Sequence, residues 1–215
     1  MSQYMSLKDH VYNYISKKIN EGSLTPNEKI NEQLICEALQ ISRTPVREAL
    51  IQLATEGYLE NIPRKGFRVR PIDENKAMEL YIIIGSLEGL AAIHALDFIT
   101  SKEIKRMKKL VTDMDEAIDV KCFDDYYKLQ ARFHNTFINI CNNEELIRLL
   151  NQLKRSFIRQ TYITKETEDL TQILKRTNSE HNEIVNLFDL KDKEKLEKYI
   201  KDVHWNVRNA RFDSI

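Results

Sequence analysis

Two arginines spaced to share one face of a helix are the first residues in this chain with obvious chemistry. Arg43, Thr44 and Arg47 follow Ser42, and helical periodicity places all three on one side. A guanidinium group presents a fork of N–H donors that fits guanine O6 and N7 or a phosphate, and a threonine hydroxyl can donate to phosphate. The pattern predicts a helix that binds a polyanion, with DNA as the first candidate.

The helix that carries these residues has an apolar back. Val46, Leu50 and Leu53 recur at helical spacing away from the arginines. Ser42 can cap the N-terminus of the helix, and Gly57 can end it. We therefore expect a helix that is held on a core from behind and turns its basic side to solvent.

A shorter helix just before it completes a predicted helix-turn-helix. Asn31 can cap this helix through its side-chain oxygen. Its apolar positions, which we expect to face inward, are Leu34, Ile35 and Leu39. Residues 40–41 then form a tight turn, as in a helix-turn-helix.

A basic β-hairpin is predicted after the recognition helix. Residues 58–62 and 67–70 are expected to be strands, the second of which alternates apolar and basic side chains, and Pro63–Gly66 forms the turn between them. The cations that we expect to face outward are Arg64, Lys65, Arg68 and Arg70. Such a wing positions a protein on a phosphate backbone more than it selects a sequence.

Three histidines in the second half of the chain could bind a metal. His134 lies within a predicted helix, and His181 and His204 lie at equal distances from a predicted turn near Asp192. Antiparallel helices that meet at this turn bring the last two to one level of a bundle. Converging imidazoles are good ligands for a first-row metal, and Gln130, one turn before His134, could add an oxygen. On spacing alone, hydrogen-bonded core or surface histidines remain the alternative.

Composition predicts that the rest of the chain is a helical bundle. After a linker at residues 71–75 the sequence contains no proline and only two glycines. We expect six or seven helices, at about residues 74–97, 101–118, 122–141, 143–164, 167–188 and 192–210. The predicted fold is mainly α, with a winged helix-turn-helix domain over residues 1–72 and an all-α domain over residues 73–215.

Charge and cysteine content limit the functional classes. Lys and Arg number 33 and Asp and Glu number 33, so the formal net charge is zero, which argues against a surface that clamps polyanions everywhere. The three scattered cysteines form no C-x-x-C pair and are expected to be reduced. The N-terminus has no signal-peptide core, and residues 81–96, which contain Glu88 and His94, are expected to be too short and too polar to span a bilayer. We expect a cytoplasmic protein.

Five segments in the first third of the chain carry a family resemblance. They are Gly22–Pro26, Glu28–Glu32, Ser42–Leu50, Glu56–Gly57 and Arg64–Phe67. Together they resemble the winged helix-turn-helix of the GntR family of bacterial transcription regulators. The resemblance implies base contacts for the two helix arginines and a close approach of the wing glycine to the duplex. The candidate DNA-contacting residues are Gln33, which stands where relatives often have arginine, and Ser42, Arg43, Thr44, Arg47, Arg64, Lys65 and Gly66.

The second half resembles the ligand-binding helical domain of the FadR subfamily, the FCD type. The resemblance rests on Glu79–Tyr81, Leu87–Ala92, Phe133–His134, Glu180–His181 and His204. Many members of that subfamily hold a divalent metal with one aspartate and three histidines. The resemblance therefore implies that His134, His181 and His204 are metal ligands, and that Gln130 occupies the aspartate position.

Two departures from the subfamily pattern affect the expected ligands. A neutral amide at Gln130 is a weaker ligand than a carboxylate and leaves the site one negative charge short, which predicts weaker metal binding. Ile84 stands where relatives often have an arginine that binds the effector's carboxylate. Arg155 and Arg159, one turn apart on a later predicted helix, could replace it. Zinc, nickel and manganese all remain possible as the metal.

These observations predict a ligand-responsive transcription regulator, with repression as the preferred output. We expect a homodimer that contacts a palindromic operator through half-sites about 34–36 Å apart, and a small-molecule effector of the carboxylate class. One alternative is a non-sensing DNA-binding protein whose helical domain only dimerises. The other, a metal-dependent hydrolase, lacks a well-placed carboxylate base in the sequence, because Glu180 is expected to face away from the site. We therefore do not expect an enzyme.

Overall fold

The structure is a computed structural model that describes residues 6–20, 23–25, 27–55, 57–70, 74–155 and 170–212. The chain divides into two compact units after Ile72. The first contains α1 (Leu7–Asn20), α2 (Glu32–Leu39), α3 (Arg43–Thr55), β1 (Leu59–Ile62) and β2 (Gly66–Val69). The second contains α4 (Glu74–Ala95), α5 (Ser101–Asp119), α6 (Phe123–Ile138), α7 (Glu144–Arg155), α8 (Leu170–Leu190), α9 (Lys193–Tyr199), a π-helical turn (Ile200–His204) and a 3₁₀ turn (Val207–Phe212). The predicted fold class is confirmed.

The first unit is built around the back of α3. Val46, Leu50 and Leu53 are fully buried, as their spacing predicts, and α1 packs against them through Val11 and Ile15. Burying an aliphatic side chain of this size contributes about 1.5–3 kcal/mol, so a few such contacts hold the helix firmly. The polar side of α3 is thereby directed away from the core.

Local signals define the ends of the two short helices. The side chain of Asn31 accepts from the backbone N–H groups of Gln33 and Leu34, and α2 ends at Gln40, which is in the left-handed conformation. Gly57 has a φ of 89° just beyond α3, where a residue without Cβ adopts that conformation at little cost. The expectation that Leu34 faces inward is wrong, because this side chain is 60% exposed.

The helical angle explains the error at Leu34. Ile35 and Leu39 are four residues apart and share the inner face, whereas Leu34 is rotated from Ile35 by about 100°. Because α2 has only 8 residues, its inner face accommodates few side chains. The outer position of Leu34 therefore stays in solvent.

The wing is a two-stranded antiparallel hairpin with a third segment beside it. Leu59 pairs with Val69, and Ile62 pairs with Gly66. Residues 27–30 also bond to β2: the N–H of Ile30 donates to the carbonyl of Phe67 at 2.8 Å. The hairpin is thus tied to the chain that leads into α2, which orients the wing relative to the helix-turn-helix.

In the second unit, α5 packs on α6 and α8, and α4 packs on α6, α9 and the two C-terminal turns. Helix α4 is apolar on nearly all sides, as is typical of a central helix in a bundle.

On length and composition alone α4 could cross a bilayer, contrary to our expectation for residues 81–96. Half of the apolar window is buried within the protein, however, and Glu88 in that window is fully buried, which fits a core helix.

The C-terminal helix differs from its prediction. A single helix was expected over residues 192–210, but the α-helix ends at Tyr199 and continues as a π-helical turn that ends at His204. The turn allows His204 to face the bundle interior at a point where α4 approaches closely. Short π-helical turns are often found at functional sites.

Glycines on α4 make that close approach possible. A Cβ at Gly85 would lie 2.7 Å from the Cβ of Trp205 and 3.3 Å from the carbonyl oxygen of Lys201. A Cβ at Gly89 would lie 3.2 Å from the carbonyl oxygen of Glu197. Any larger residue at either position would therefore push the C-terminal segment away from α4.

We predict that Gly85→Ala destabilises the protein. Alanine has the better helix propensity, by about 1 kcal/mol, but overpacking against rigid atoms costs about 1–3 kcal/mol and dominates, because the Cβ of Trp205 and a backbone oxygen cannot move far. We expect the free energy of unfolding, measured by urea denaturation followed by circular dichroism, to fall by up to about 2 kcal/mol. Ser86→Ala, at the next and half-exposed position, is the matched control. A Gly85→Ala variant as stable as this control would contradict the close-approach argument.

Candidate nucleic-acid interface and metal centre

The exposed face of α3 carries the residues predicted to contact DNA. The helix begins at Arg43, so Ser42 directly precedes its first turn, where backbone N–H groups have no intrahelical partner. Arg43, Thr44 and Arg47 are all exposed, opposite the buried apolar side. These side chains lie on a rigid element, which lowers the entropy cost of presenting them to a ligand.

Gln33 lies near the start of α2 and is also exposed. Its side-chain amide nitrogen donates to Glu37 Oε1 at 3.0 Å, one turn further along the helix. An amide with an acidic neighbour is a weak partner for phosphate compared with an arginine. The structure thus places Gln33 on the outer surface of the helix-turn-helix and gives it a partner within its own helix.

The wing turn presents two cations next to a glycine. Arg64 and Lys65 are exposed, and Arg64 and Gly66 have φ values of 65° and 87°. None of the described residues comes within 4 Å of the point where a Cβ would be at Gly66, so another surface can approach the backbone there. Arg68, on β2, and Arg70, just after it, lie instead beside a carboxylate.

A single carboxylate, Glu60, binds both of those arginines. The Nε and Nη2 atoms of Arg68 each lie 2.6 Å from Glu60 Oε2, and the Nε of Arg70 lies 3.9 Å from Glu60 Oε1. The expectation that both side chains are simply outward cations is therefore incomplete. The positive charge of the wing is concentrated at its turn, on Arg64 and Lys65.

The three histidines expected to bind metal meet inside the second unit. The Nε2 atom of His134 lies 3.3 Å from the Nε2 atoms of both His181 and His204. All three residues are buried, and their ligand atoms lie within 4.8 Å of one another. Helix α6 supplies the first ring, α8 the second and the π-helical turn the third.

The other nitrogen of His181 has a partner that determines its protonation. His181 Nδ1 lies 3.3 Å from Asn178 Oδ1, and Asn178 Nδ2 donates to the carbonyl of Val111 at 2.9 Å. Because the amide nitrogen faces that carbonyl, its oxygen faces the imidazole and can only accept. The Nδ1 atom of His181 therefore carries the proton, and its Nε2 lone pair points to the centre of the cluster.

A carboxylate lies behind the Nδ1 atom of each of the other two rings. Glu88 Oε2 lies 3.0 Å from His134 Nδ1, and Glu180 Oε2 lies 3.0 Å from His204 Nδ1. The sequence prediction missed Glu88, and its expectation that Glu180 faces away from the site is wrong. Both carboxylates lie behind the imidazoles rather than beside the cluster centre, so they orient ligands and are not placed to act as a general base.

The arrangement fits a divalent metal ion. Three Nε2 lone pairs that face one another call for a shared cation, and ligands held tetrahedrally at 2.0–2.1 Å from one ion lie about 3.3–3.4 Å apart. That separation matches the two Nε2 distances of 3.3 Å at His134, and the ligand atoms of His181 and His204 lie within 4.8 Å of each other. Each Nδ1 atom has an oxygen 3.0–3.3 Å away on the side opposite the cluster centre, which is the usual arrangement of imidazoles around protein-bound metals.

The other positions that the sequence singled out are buried to different degrees or lie outside the described residues. Gln130 is half-buried and lies one turn before His134 on α6. Ile84 is fully buried in α4. The side chain of Arg155 and all of Arg159 lie outside the described residues.

One local signal could have identified Glu88 from the sequence: it is the sole acidic residue between Tyr81 and Ala95.

Comparison with known proteins gives matches for both units. Residues 7–69 match the family described as bacterial regulatory proteins, gntR family, and residues 79–203 match the FCD domain. The Nta operon transcriptional regulator of Aminobacter aminovorans is 34% identical over 128 residues, which are 60% of this chain and 60% of that protein. The aligned part covers 64% of a second relative, the regulator YdhC of Bacillus subtilis, which is 29% identical.

Two further matches extend over nearly the whole chain. The transcriptional repressor RspR of Escherichia coli K12 is 22% identical over 95% of this chain and 90% of its own length. The solved structure of E. coli McbR/YncC superimposes with a TM-score of 0.78 over 94% of each chain, at 21% identity. At that identity the structural match supports the fold alone.

Proposed function

The chain belongs to the GntR family of bacterial regulatory proteins and carries an FCD domain, and from this premise we propose that it is a cytoplasmic, ligand-responsive transcription regulator. Residues 1–72 form the DNA-binding domain, and residues 73–215 form the ligand-binding and dimerisation domain. The relatives named above are regulators rather than enzymes, which agrees with the expectation that the chain is not an enzyme. One relative is named a repressor, and we propose repression for this chain as well.

The exposed face of α3 is the observation that carries the DNA-binding part of the proposal. Arg43 and Arg47 enter a major groove and contact base edges, and Thr44 contacts a phosphate. Ser42, Gln33 and the wing turn with Arg64, Lys65 and Gly66 position the protein on the backbone. Base specificity then depends mainly on the two α3 arginines.

A homodimer is the assembly that places two such helices on one palindromic operator. Three exposed apolar residues on α4 support this, because an exposed apolar patch favours association. They are Met78, Ile82 and Ile83, which are 36%, 56% and 45% exposed. Two copies of the DNA-binding domain then contact half-sites about 34–36 Å apart.

The histidine cluster carries the sensing part of the proposal. His134, His181 and His204 hold a divalent ion, and Gln130 or a small ligand occupies a fourth position. When bound, the ion supplies a positive centre that can accept an anionic oxygen. Three imidazole ligands suit zinc or nickel better than manganese, which prefers oxygen.

The effector is proposed to be a small carboxylate that occupies the open position. Arg155 and Arg159 are the residues proposed to bind its charge. The effector alters DNA affinity only to the extent that it prefers one arrangement of the dimer over another, so its effect equals its differential affinity for the two arrangements. A regulator that only dimerises would show no such difference, and its melting temperature would not respond to metals or metabolites.

Arg47→Ala should weaken specific DNA binding by about 1–3 kcal/mol and relax base preference at one position, because a bidentate contact to a base edge is lost. Fluorescence anisotropy with a duplex selected by the parent protein from a random library measures this. Arg106→Ala removes an exposed arginine from α5 in the second unit and is the matched control. If Arg47→Ala and Arg106→Ala bind the selected duplex equally well, Arg47 takes no part in the contact.

The protein as purified should contain about one divalent ion per chain by elemental analysis. His134→Ala and His181→Ala should lose that ion, because each removes one of three converging ligands, while His94→Ala, at an exposed position on α4, should keep it. Added metal at 100 times its Kd should stabilise the parent by about 2.7 kcal/mol. Equal metal content in His134→Ala and His94→Ala would argue against the site.

A further inference from the structure

Glu88 is a fully buried carboxylate that contacts His134 and Trp205, which lie in distant parts of the chain. Its Oε2 atom lies 3.0 Å from His134 Nδ1 on α6 and accepts a hydrogen bond of 2.7 Å from the indole Nε1 of Trp205. The side chain is 0% exposed, in the middle of an otherwise apolar helix. Burying a carboxylate in such surroundings is costly unless it interacts with positive charge or strong donors.

The ligands around the proposed metal centre carry no charge of their own. Three imidazoles with protonated Nδ1 atoms are neutral, and Gln130 is a neutral amide. A divalent ion would therefore enter a low-dielectric interior with its charge uncompensated by its direct ligands. Two carboxylates stand one step further out, Glu88 behind His134 and Glu180 behind His204.

Glu88 is the better placed of these two for compensating charge. Its side chain is 0% exposed, whereas that of Glu180 is 12% exposed. Because solvent screens a partly exposed carboxylate more strongly, the buried one interacts more strongly with an ion at the same distance. Glu88 also belongs to the helix that the glycine contacts hold against the C-terminal turn.

We propose that Glu88 is a positioning residue that supplies, from behind His134, the negative charge that Gln130 does not provide. It holds the Nδ1–H tautomer of His134, directs the Nε2 lone pair to the ion and increases the basicity of the ring. The inference rests on the proposed metal centre and deepens it. It also implies that the ion is sensed at Trp205, which shares the same carboxylate oxygen.

The close packing at Gly85 is what brings Trp205 to this oxygen. The two backbones approach so closely that a Cβ at Gly85 would lie 2.7 Å from the Cβ of Trp205. Trp205 is the single tryptophan of the chain, so intrinsic indole fluorescence reports on the surroundings of this one side chain. Zinc has no visible absorption and does not quench by itself, so a change on zinc binding reflects altered geometry or charge around the indole, which Glu88, His134 and His204 all approach.

Glu88→Gln isolates the charge, since the amide keeps the shape and can still accept from both donors. Zinc affinity, measured by competition with a chromogenic chelator on full-length metal-free protein, should fall 10–100-fold. Glu79→Gln removes a carboxylate from the exposed side of the same helix and should bind zinc like the parent. The metal-free Glu88→Gln variant should be at least as stable as the metal-free parent in thermal unfolding, because a neutral amide is less costly to bury, and this separates loss of charge from loss of structure.

Two further measurements complete the test. Glu88→Asp restores the charge and should recover affinity relative to Glu88→Gln, and zinc should change the Trp205 emission of the parent at one equivalent. Zinc binding by Glu88→Gln within twofold of the parent, or an unchanged Trp205 emission in a parent that binds zinc, would overturn the role of Glu88 alone. A parent that binds no zinc, nickel or cobalt would overturn the metal centre as well.

Discussion

Three imidazole rings can share the interior of an apolar bundle only if each ring nitrogen has a suitable neighbour. The second unit meets this constraint with one acceptor behind each ring: an asparagine oxygen for His181 and carboxylates for His134 and His204. With the Nδ1 atoms engaged, the Nε2 atoms can only turn toward one another. Helices α4, α6 and α8 and the π-helical turn must therefore pack so that these neighbours stay within about 3.0–3.3 Å of the rings.

The first unit solves a different problem, which is to hold a polar surface rigid. Helix α3 offers its arginines to solvent because its other side is fully buried against α1 and the wing strands. The caps at Asn31 and Gly57 end the helices without help from distant residues. Because its order depends on short-range features, this unit was the easier one to predict.

The sequence predicted those features that depend on local periodicity or on a single turn. The helix-turn-helix, the hairpin and the meeting of His181 with His204 across the turn capped by Asp192 all follow from residues close in the chain. The partners of the histidines depend on tertiary packing: Glu88 is 46 residues from His134 and 117 from Trp205, a separation for which periodicity carries no information. The π-helical turn was missed for the same reason, because it is the packing against Gly85 and the inward placement of His204 that favour it over a regular helix.

The carboxylate of Glu60 gives the wing an internal counterion. A phosphate that approaches Arg68 or Arg70 must first displace that group, so the exchange of one anion for another yields little net energy. Because the total charge of the chain is also zero, we expect duplex DNA of unrelated sequence to bind the protein only weakly. We therefore expect encounters with non-target sites to be brief, while the cations of α3 and of the wing turn stay available for contacts at the correct sequence.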